Sequence, residues 1–439
     1  MTNNVERDEA HRLMPVRIGL AVLLGVIFFL HPLPMSRDAG WFEWGCVAIL
    51  LGVPFQALLA VGHLRLRTLK VWLIVCAVLG FVLAAICEHD LNPRDRWAND
   101  GEDLFFALKL VGLLFVGHCL VAAGDADRRW IARYETYFDV AWTLGVRFAL
   151  ALLAAVLILI ILGAFGWLAN VDFDLASSKR PFLDRLLIAP ILVVPLIAMA
   201  LTDQADYARR LRSVGLHLLN WLAAPALLCS LWLAVRAWQQ GWRPGRNFDD
   251  AMTAELFAWL FLLLINSLHA DGAGQRPRAA FFRYLQLALI VALAAATALL
   301  VLSLVLEYER ALARAYMIML TNSAIFLGCY VAGYVVAAVT SGPALHLLPK
   351  VNVVCALIGV AMSLAAATPF GNVNRLAVAY RVARLEAGAI PPAEFNYQYL
   401  RLYTGRYGYE ALERLAAKRN GLNADEIARR AREALIKPE

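Results

Sequence analysis

Residues 285–306 read LQLALIVALAAATALLVLSLVL, without a single charged side chain. A helix rising 1.5 Å per residue needs roughly 20 apolar residues to cross a hydrocarbon core about 30 Å thick. This stretch is long enough. It lacks the period-two alternation of a barrel strand, so it reads as a helix, which satisfies every backbone group internally when lipid surrounds it. Ten further blocks reach or approach the same length, and together the candidate spans are about 16–34, 40–63, 70–87, 104–123, 144–169, 183–202, 213–238, 251–269, 282–306, 313–340 and 343–368. The expected fold class is all-α: a polytopic transmembrane helical bundle of about eleven spans with a small C-terminal soluble helical tail. Residues 1–15 form a cytoplasmic N-terminal segment, 16–368 the transmembrane helical domain and 369–439 the soluble tail.

Composition points the same way. Of 439 residues, 61% are hydrophobic and 17% charged, whereas a soluble domain is about half apolar and about a quarter charged. The net charge of +7 resides mainly in short loops between spans. That is the pattern of membrane topology, and no basic helix or aromatic-interleaved patch supports a nucleic-acid partner. The cysteines Cys46, Cys76, Cys87, Cys119, Cys229, Cys329 and Cys355 form no C-x-x-C pair. Most lie in apolar segments as packing residues, with Cys87 closest to a span end. No cofactor is implied. Arg7, Arg12 and Arg17 before the first span give it the look of a signal sequence. The following His31-Pro32-Leu33-Pro34-Met35 is a poor cleavage site, so the span reads as an uncleaved anchor.

Lys and Arg in the loops orient the spans, because cytoplasmic loops are enriched in them. Loop two holds Arg65, Arg67 and Lys70, and loop four Arg128, Arg129 and Arg133. Loop six holds Arg209, Arg210 and Arg212, and loop eight Arg276, Arg278 and Arg283. The third loop is acidic, with Glu88, Asp90, Asp95, Asp100, Glu102 and Asp103. The seventh, with Arg236, Arg243 and Arg246, breaks the alternation. The pattern places the N-terminus in the cytoplasm and, for an odd number of spans, the tail in the periplasm. This depends on Ser341-Gly342-Pro343 turning the chain back, since a kink there would return the tail to the cytoplasm.

The tail reads as short amphipathic helices. Leu376, Val378, Val382 and Leu385 recur at near-helical spacing, and Gly388 with Pro391-Pro392 stops that helix. A second helix ends near Thr404-Gly405, and a third runs from about Tyr407 to Lys418. Asn423 with Glu426 three residues later has the capping-box pattern for a fourth.

Polar side chains inside spans are costly in lipid and therefore mark candidate sites. His217 and Asn220 share one helix face, and Asn266 and His269 share another on the next span. The four suggest a polar pocket for a head group or a proton, with interhelical hydrogen bonding as the structural alternative. Glu88, His89, Asp90 and Asp95 offer hard oxygen ligands and one imidazole for a divalent cation, although acidic outer loops also arise from topology alone. Lys109 and His118 lie on opposite faces of one span. Pro190, Pro195 and Pro225 interrupt the backbone ladder of the sixth and seventh spans. In the tail, Tyr399, Arg401, Arg406 and Tyr407 suggest a surface for a partner protein, against the alternative of a tyrosine-rich small core.

Several of these residues carry a resemblance. Asp206-Tyr207-Ala208-Arg209-Arg210-Leu211-Arg212, Leu219-Asn220-Trp221, Asn266 with Asp271-Gly272, Tyr308 with Arg314 and Tyr316, and the closing block form one set. The closing block comprises Asn374-Arg375-Leu376-Ala377-Val378, Arg381-Val382-Ala383-Arg384-Leu385, Tyr399-Leu400-Arg401 and Gly405-Arg406-Tyr407-Gly408. The second half of the chain thus resembles the bacterial membrane family catalogued as domain of unknown function 4153. It departs at Glu309-Arg310-Ala311, where the family has a Gly-x-Thr type turn, and at Ala377 and Tyr380, in place of a serine and a glutamine. The resemblance implies a polytopic bacterial inner-membrane protein and supplies no activity. Three functional readings stay open. They are a non-enzymatic scaffold of the cell envelope presenting its tail to a protein partner, a transporter or permease with a polar intramembrane pocket, and a glycosyltransferase-like membrane enzyme acting on lipid-linked substrates.

Overall fold

The computed structural model describes residues 2–30, 41–90, 102–169, 181–201, 205–239, 241, 248–269, 280–309, 315–341, 345–366, 368 and 371–436. Among them every regular element is a helix. The long helices are α1 (Thr2–Leu30), α2 (Trp41–Ala60), α3 (Leu66–Asp90), α4 (Glu102–Asp127), α5 (Tyr134–Ala169), α6 (Pro181–Leu201), α7 (Ala205–Gln239), α8 (Phe248–His269), α9 (Ala280–Glu309), α10 (Ala315–Ser341) and α11 (Leu348–Ala366). Four short ones follow: α12 (Val373–Glu386), α13 (Tyr397–Tyr403), α14 (Gly405–Ala416) and α15 (Ala424–Leu435). Each expected span falls on one long helix. Among the described residues nine helices are long and apolar enough to cross a membrane, and the other two expected spans fall on α1 and α6.

The chain divides into two compact units, the first comprising Met1–Ala85 and Leu114–Gly215, the second Ile86–Leu113 and Leu216–Glu439. In the first, α1 packs on α2 and α6, and α6 on α5. Helices α2 and α3 form an antiparallel hairpin, brought close by glycine. A Cβ on Gly45 would stand 2.4 Å from the Phe81 ring. Leu59, Cys119, Leu144 and Met199 share a core there.

In the second unit the core centres on α8 and α9, where Phe261, Ile265, Leu289, Leu293 and Leu300 are fully buried, and α10 adds Leu327 and Tyr334. Gly333 abuts Val351, and Gly359 abuts Phe326. These pairs run in opposite senses along the two helices, so α10 and α11 are antiparallel over most of their length. Gly342 and Pro343 lie outside the described residues, but the helices they join reverse direction. By the same register, the end of α11 lies level with the start of α10.

The tail has its own core of Val378, Leu385, Phe395, Leu400, Leu412, Leu415 and Ile427. Asn372 caps α12 by accepting from the Arg375 amide at 3.0 Å, and Asn396 caps α13 through the Tyr399 amide at 2.9 Å. Gly388 leaves α12 with φ +72°, the left-handed exit that glycine permits. The capping box expected at Asn423 does not form. Asn423 itself takes φ 53°, and its side chain makes no cap hydrogen bond. A left-handed residue cannot aim its side chain at the N3 amide as an extended N-cap does. Leu376, expected on the core face of α12, points outward instead and is 45% exposed.

Candidate functional site

In the second unit a closed ring of hydrogen bonds ties three helices together. Asn266 on α8 donates from Nδ2 to the Tyr334 hydroxyl on α10 at 3.1 Å. Tyr334 donates to Oδ1 of Asn352 on α11 at 2.5 Å, and Asn352 Nδ2 returns to Asn266 Oδ1 at 2.6 Å. The second Asn266 proton goes to the Leu262 carbonyl at 2.9 Å. Both amide donors of Asn266 are therefore engaged. In low dielectric such a cycle polarises itself and rigidifies its members.

The other members of the expected pocket are placed differently. His217 is exposed on α7, and His269 is half-buried at the last residue of α8. Asn220 lies one turn before Ala223, which joins the core shared with α8. Its Oδ1 is buried and has no hydrogen-bond partner among the described residues. The structure thus brings Asn266 together with Tyr334 and Asn352, two groups from distant parts of the sequence.

Glu88, His89 and Asp90 end α3, but their side chains, like the whole of Asp95 and the side chain of Lys109, lie outside the described residues. Among the described residues no three His, Cys, Asp or Glu side chains gather as a metal site.

Two of the four tail residues face inward. Tyr399 is buried in the tail core, with the Arg381 guanidinium 4.7 Å from its ring centre and the Tyr403 ring stacked at 5.8 Å. Arg401 is buried as well and donates to the carbonyls of Ala434 and Ile436 at 3.2 and 3.0 Å, fastening the end of α15. Arg406 pairs with Glu410 on the surface at 2.8 Å, and Tyr407 is half-buried against the tail core.

The first unit holds polar groups that sequence reasoning passed over. Asp125, its side chain only 3% exposed, accepts from the Arg65 amide and Nε at 2.8 Å each and from Thr68 Oγ1 at 2.5 Å. It thereby locks the start of α3 to the end of α4. Two residues on, Asp127 ties the end of α4 to the start of α5, accepting from the Arg133 amide at 2.7 Å and Thr136 Oγ1 at 3.0 Å. Arg65 and Arg133 had been read only as topology charges, yet each anchors a loop.

Deeper in, Arg17 donates to the Val61 carbonyl, and the Trp72 indole donates to Gln56 Oε1 at 3.2 Å. Arg147, buried on α5, lies 2.9 Å from His63 Nε2. A guanidinium only donates, so that imidazole nitrogen carries no proton. His63 is therefore neutral. The one advance signal for this layer was charged and amide residues at the margins of apolar blocks.

What the geometry supplies is helix fastening: an asparagine–tyrosine ring in one unit and carboxylate-centred loop anchors in the other. No family model, no curated protein and no solved structure matches the chain.

Proposed function

We propose that the protein is a multi-pass inner-membrane component of the bacterial cell envelope, a non-enzymatic scaffold that presents its folded tail to an envelope protein partner. The observation that carries this reading is the contrast between long helices fastened to one another and a tail that folds around its own core. Inside the apolar helices the ring on Asn266 and the anchors on Asp125 and Asp127 fasten the fold, whereas the tail is a folded helical module with a charged outer surface. The resemblance of the closing block to the 4153 family supports the same location. The Lys and Arg distribution supports a cytoplasmic N-terminus. The reversal between α10 and α11 supports an odd number of spans, and with it a periplasmic tail. Membrane lipids surround the spans.

Removal of residues 370–439 tests the scaffold reading. Affinity purification from membranes is expected to lose a specific envelope protein when the tail is absent and to keep it with the full chain. An unchanged set of co-purifying proteins overturns the reading. A reporter fused after Glu439 reads out the side of the tail independently.

A further inference from the structure

One face of α12 is exposed among the described residues. Around α12, Ala377, Val378, Arg381 and Leu385 are buried, with Val378 and Leu385 in the tail core and Arg381 over the Phe395 and Tyr399 rings. On the opposite side Leu376, Ala379, Tyr380 and Ala383 form a continuous exposed stripe, with Leu376 45% and Tyr380 38% exposed. At 100° per residue, Arg375 borders this stripe on one edge and Arg384 on the other. Arg384 also leans over the Tyr380 ring and donates to its hydroxyl at 3.1 Å.

The connection to α11 says where this stripe is. Helix α11 is one of the apolar helices of spanning length and ends at Ala366. Thr368 and Gly371 then turn the chain sharply, with the Thr368 amide donating to Ala365 O at 3.0 Å and the Gly371 amide to Thr368 O at 3.2 Å. Gly371 packs on the last turn of α11 so closely that a Cβ there would be 2.4 Å from the Ala365 carbonyl oxygen. Helix α12 therefore starts at the very end of the span. It also packs on α10, whose first apolar turn lies level with the end of α11. The outward side chain Leu364, in the last turns of α11, and Leu376, in the first turn of α12, bracket this tight turn.

We propose that α12 lies in the head-group layer of the bilayer and that its Leu376–Tyr380 stripe docks the tail onto the lipid surface. The chemistry fits that occupant. A narrow apolar stripe enters the acyl boundary, a tyrosine belongs at the interface, and arginines along both edges meet lipid phosphates. Docking through α12 fixes the tail at the membrane and leaves α14 and α15 as its outward helices. The inference goes beyond the scaffold reading and rests on its membrane assignment.

Nitroxide labels on the full-length protein in phosphatidylethanolamine–phosphatidylglycerol vesicles test it, with native cysteines replaced. Labels are placed at Leu376→Cys, Tyr380→Cys, the span position Leu357→Cys and the outward α15 position Arg429→Cys. Oxygen partitions into lipid and a nickel chelate into water. The oxygen-to-nickel accessibility ratio is expected to be several-fold higher at 376 and 380 than at 429, and high at 357. Low ratios at 376 and 380 with a high ratio at 357 overturn the docking alone. A low ratio at 357 as well overturns the membrane assignment itself. Shielding of 376 and 380 from both reagents means that protein covers the stripe and also overturns the proposal.

Discussion

The long helices and the tail distribute their side chains by opposite rules. On α5, α7, α9 and α10 large apolar residues such as Leu152, Leu228, Val291 and Val339 point outward, while Arg147, Gln286, Thr297 and Ser303 are buried. In the tail, Leu400, Leu412 and Ile427 are buried, and the surface of α15 carries the i,i+4 pairs Glu426–Arg430 and Arg429–Glu433. One chain has thus been written for two solvents. In water, burial of apolar area drives the tail together. In lipid that force is absent between helices, so close approach at glycine and a few satisfied polar contacts must hold them. Substitutions that probe each rule separately test whether the division is real.

The largest effect is expected where the hydrophobic force acts. Leu412→Ala empties a fully buried position in the tail core and is expected to reduce tail stability by about 3 kcal/mol. Limited proteolysis of the full-length protein in detergent reads this as faster cleavage within 373–436. Val339→Ala, on the outer face of α10, is expected to leave both regions within about 0.5 kcal/mol. Equal losses from the two changes would erase the distinction between the regions.

Next comes the carboxylate anchor. Asp125→Ala removes the acceptor for the Arg65 amide, the Arg65 guanidinium and the Thr68 hydroxyl together. Arg65 is half exposed and regains water, so the loss falls mainly on the amide and the hydroxyl, about 2 kcal/mol in thermal unfolding of the detergent-solubilised protein. Asp125→Asn keeps an acceptor and is expected to lose less.

These two sites also show what the sequence made legible. Val378 and Leu385, in the same core as Leu412, follow from helical periodicity, just as the spans follow from block length, because both are local patterns. Asp125 was invisible for the opposite reason, since its partners lie on the other arm of a hairpin and in isolation it is one acidic residue at a span end. Asn266 was legible as costly in lipid, but not its purpose. Tyr334 and Asn352 are far along the chain, and only the antiparallel pairing of α10 with α11 brings them to it. For Tyr399 and Arg401 the sequence offers either a partner surface or a tyrosine-rich small core, and both side chains are buried. Here backbone carbonyls at the end of α15 and a stacked guanidinium satisfy them inside. The Asn423 capping pattern failed because a sequence motif specifies residue types and not the dihedral of its first member.

The asparagine–tyrosine ring sharpens the comparison from the lipid side. Tyr334→Phe removes the hydroxyl that links Asn266 to Asn352. In water-excluded protein that would be a large loss, but unfolded helices in a membrane find other partners, so the expected cost is only about 1 kcal/mol. Combining it with Asn352→Val is expected to cost clearly less than the sum of the two single changes, because each alone already opens the ring. Strict additivity in unfolding measurements would mean that the three groups do not act as a unit.

Tyr397 in the tail gives the smallest effect and the most direct exception to the rule for water. Its hydroxyl is buried without a hydrogen-bond partner among the described residues. Burial pushes the phenol up to about 12, against 10 for an ordinary tyrosine. The neutral form is thus favoured in the folded state. Between pH 10 and 12 the unfolded chain ionises this phenol while the folded tail resists, so this residue's contribution to stability declines as pH rises through that window. Tyr397→Phe removes the orphan hydroxyl and the titration together while keeping the ring that packs on Phe395 at 4.8 Å. The substitution is expected to leave stability at pH 7 unchanged or raised by up to about 1 kcal/mol, and to flatten the fall above pH 10. A loss of stability at pH 7 would mean that the hydroxyl contributes a hydrogen bond, through water or otherwise, and that even this residue obeys the ordinary rule for a folded module in water.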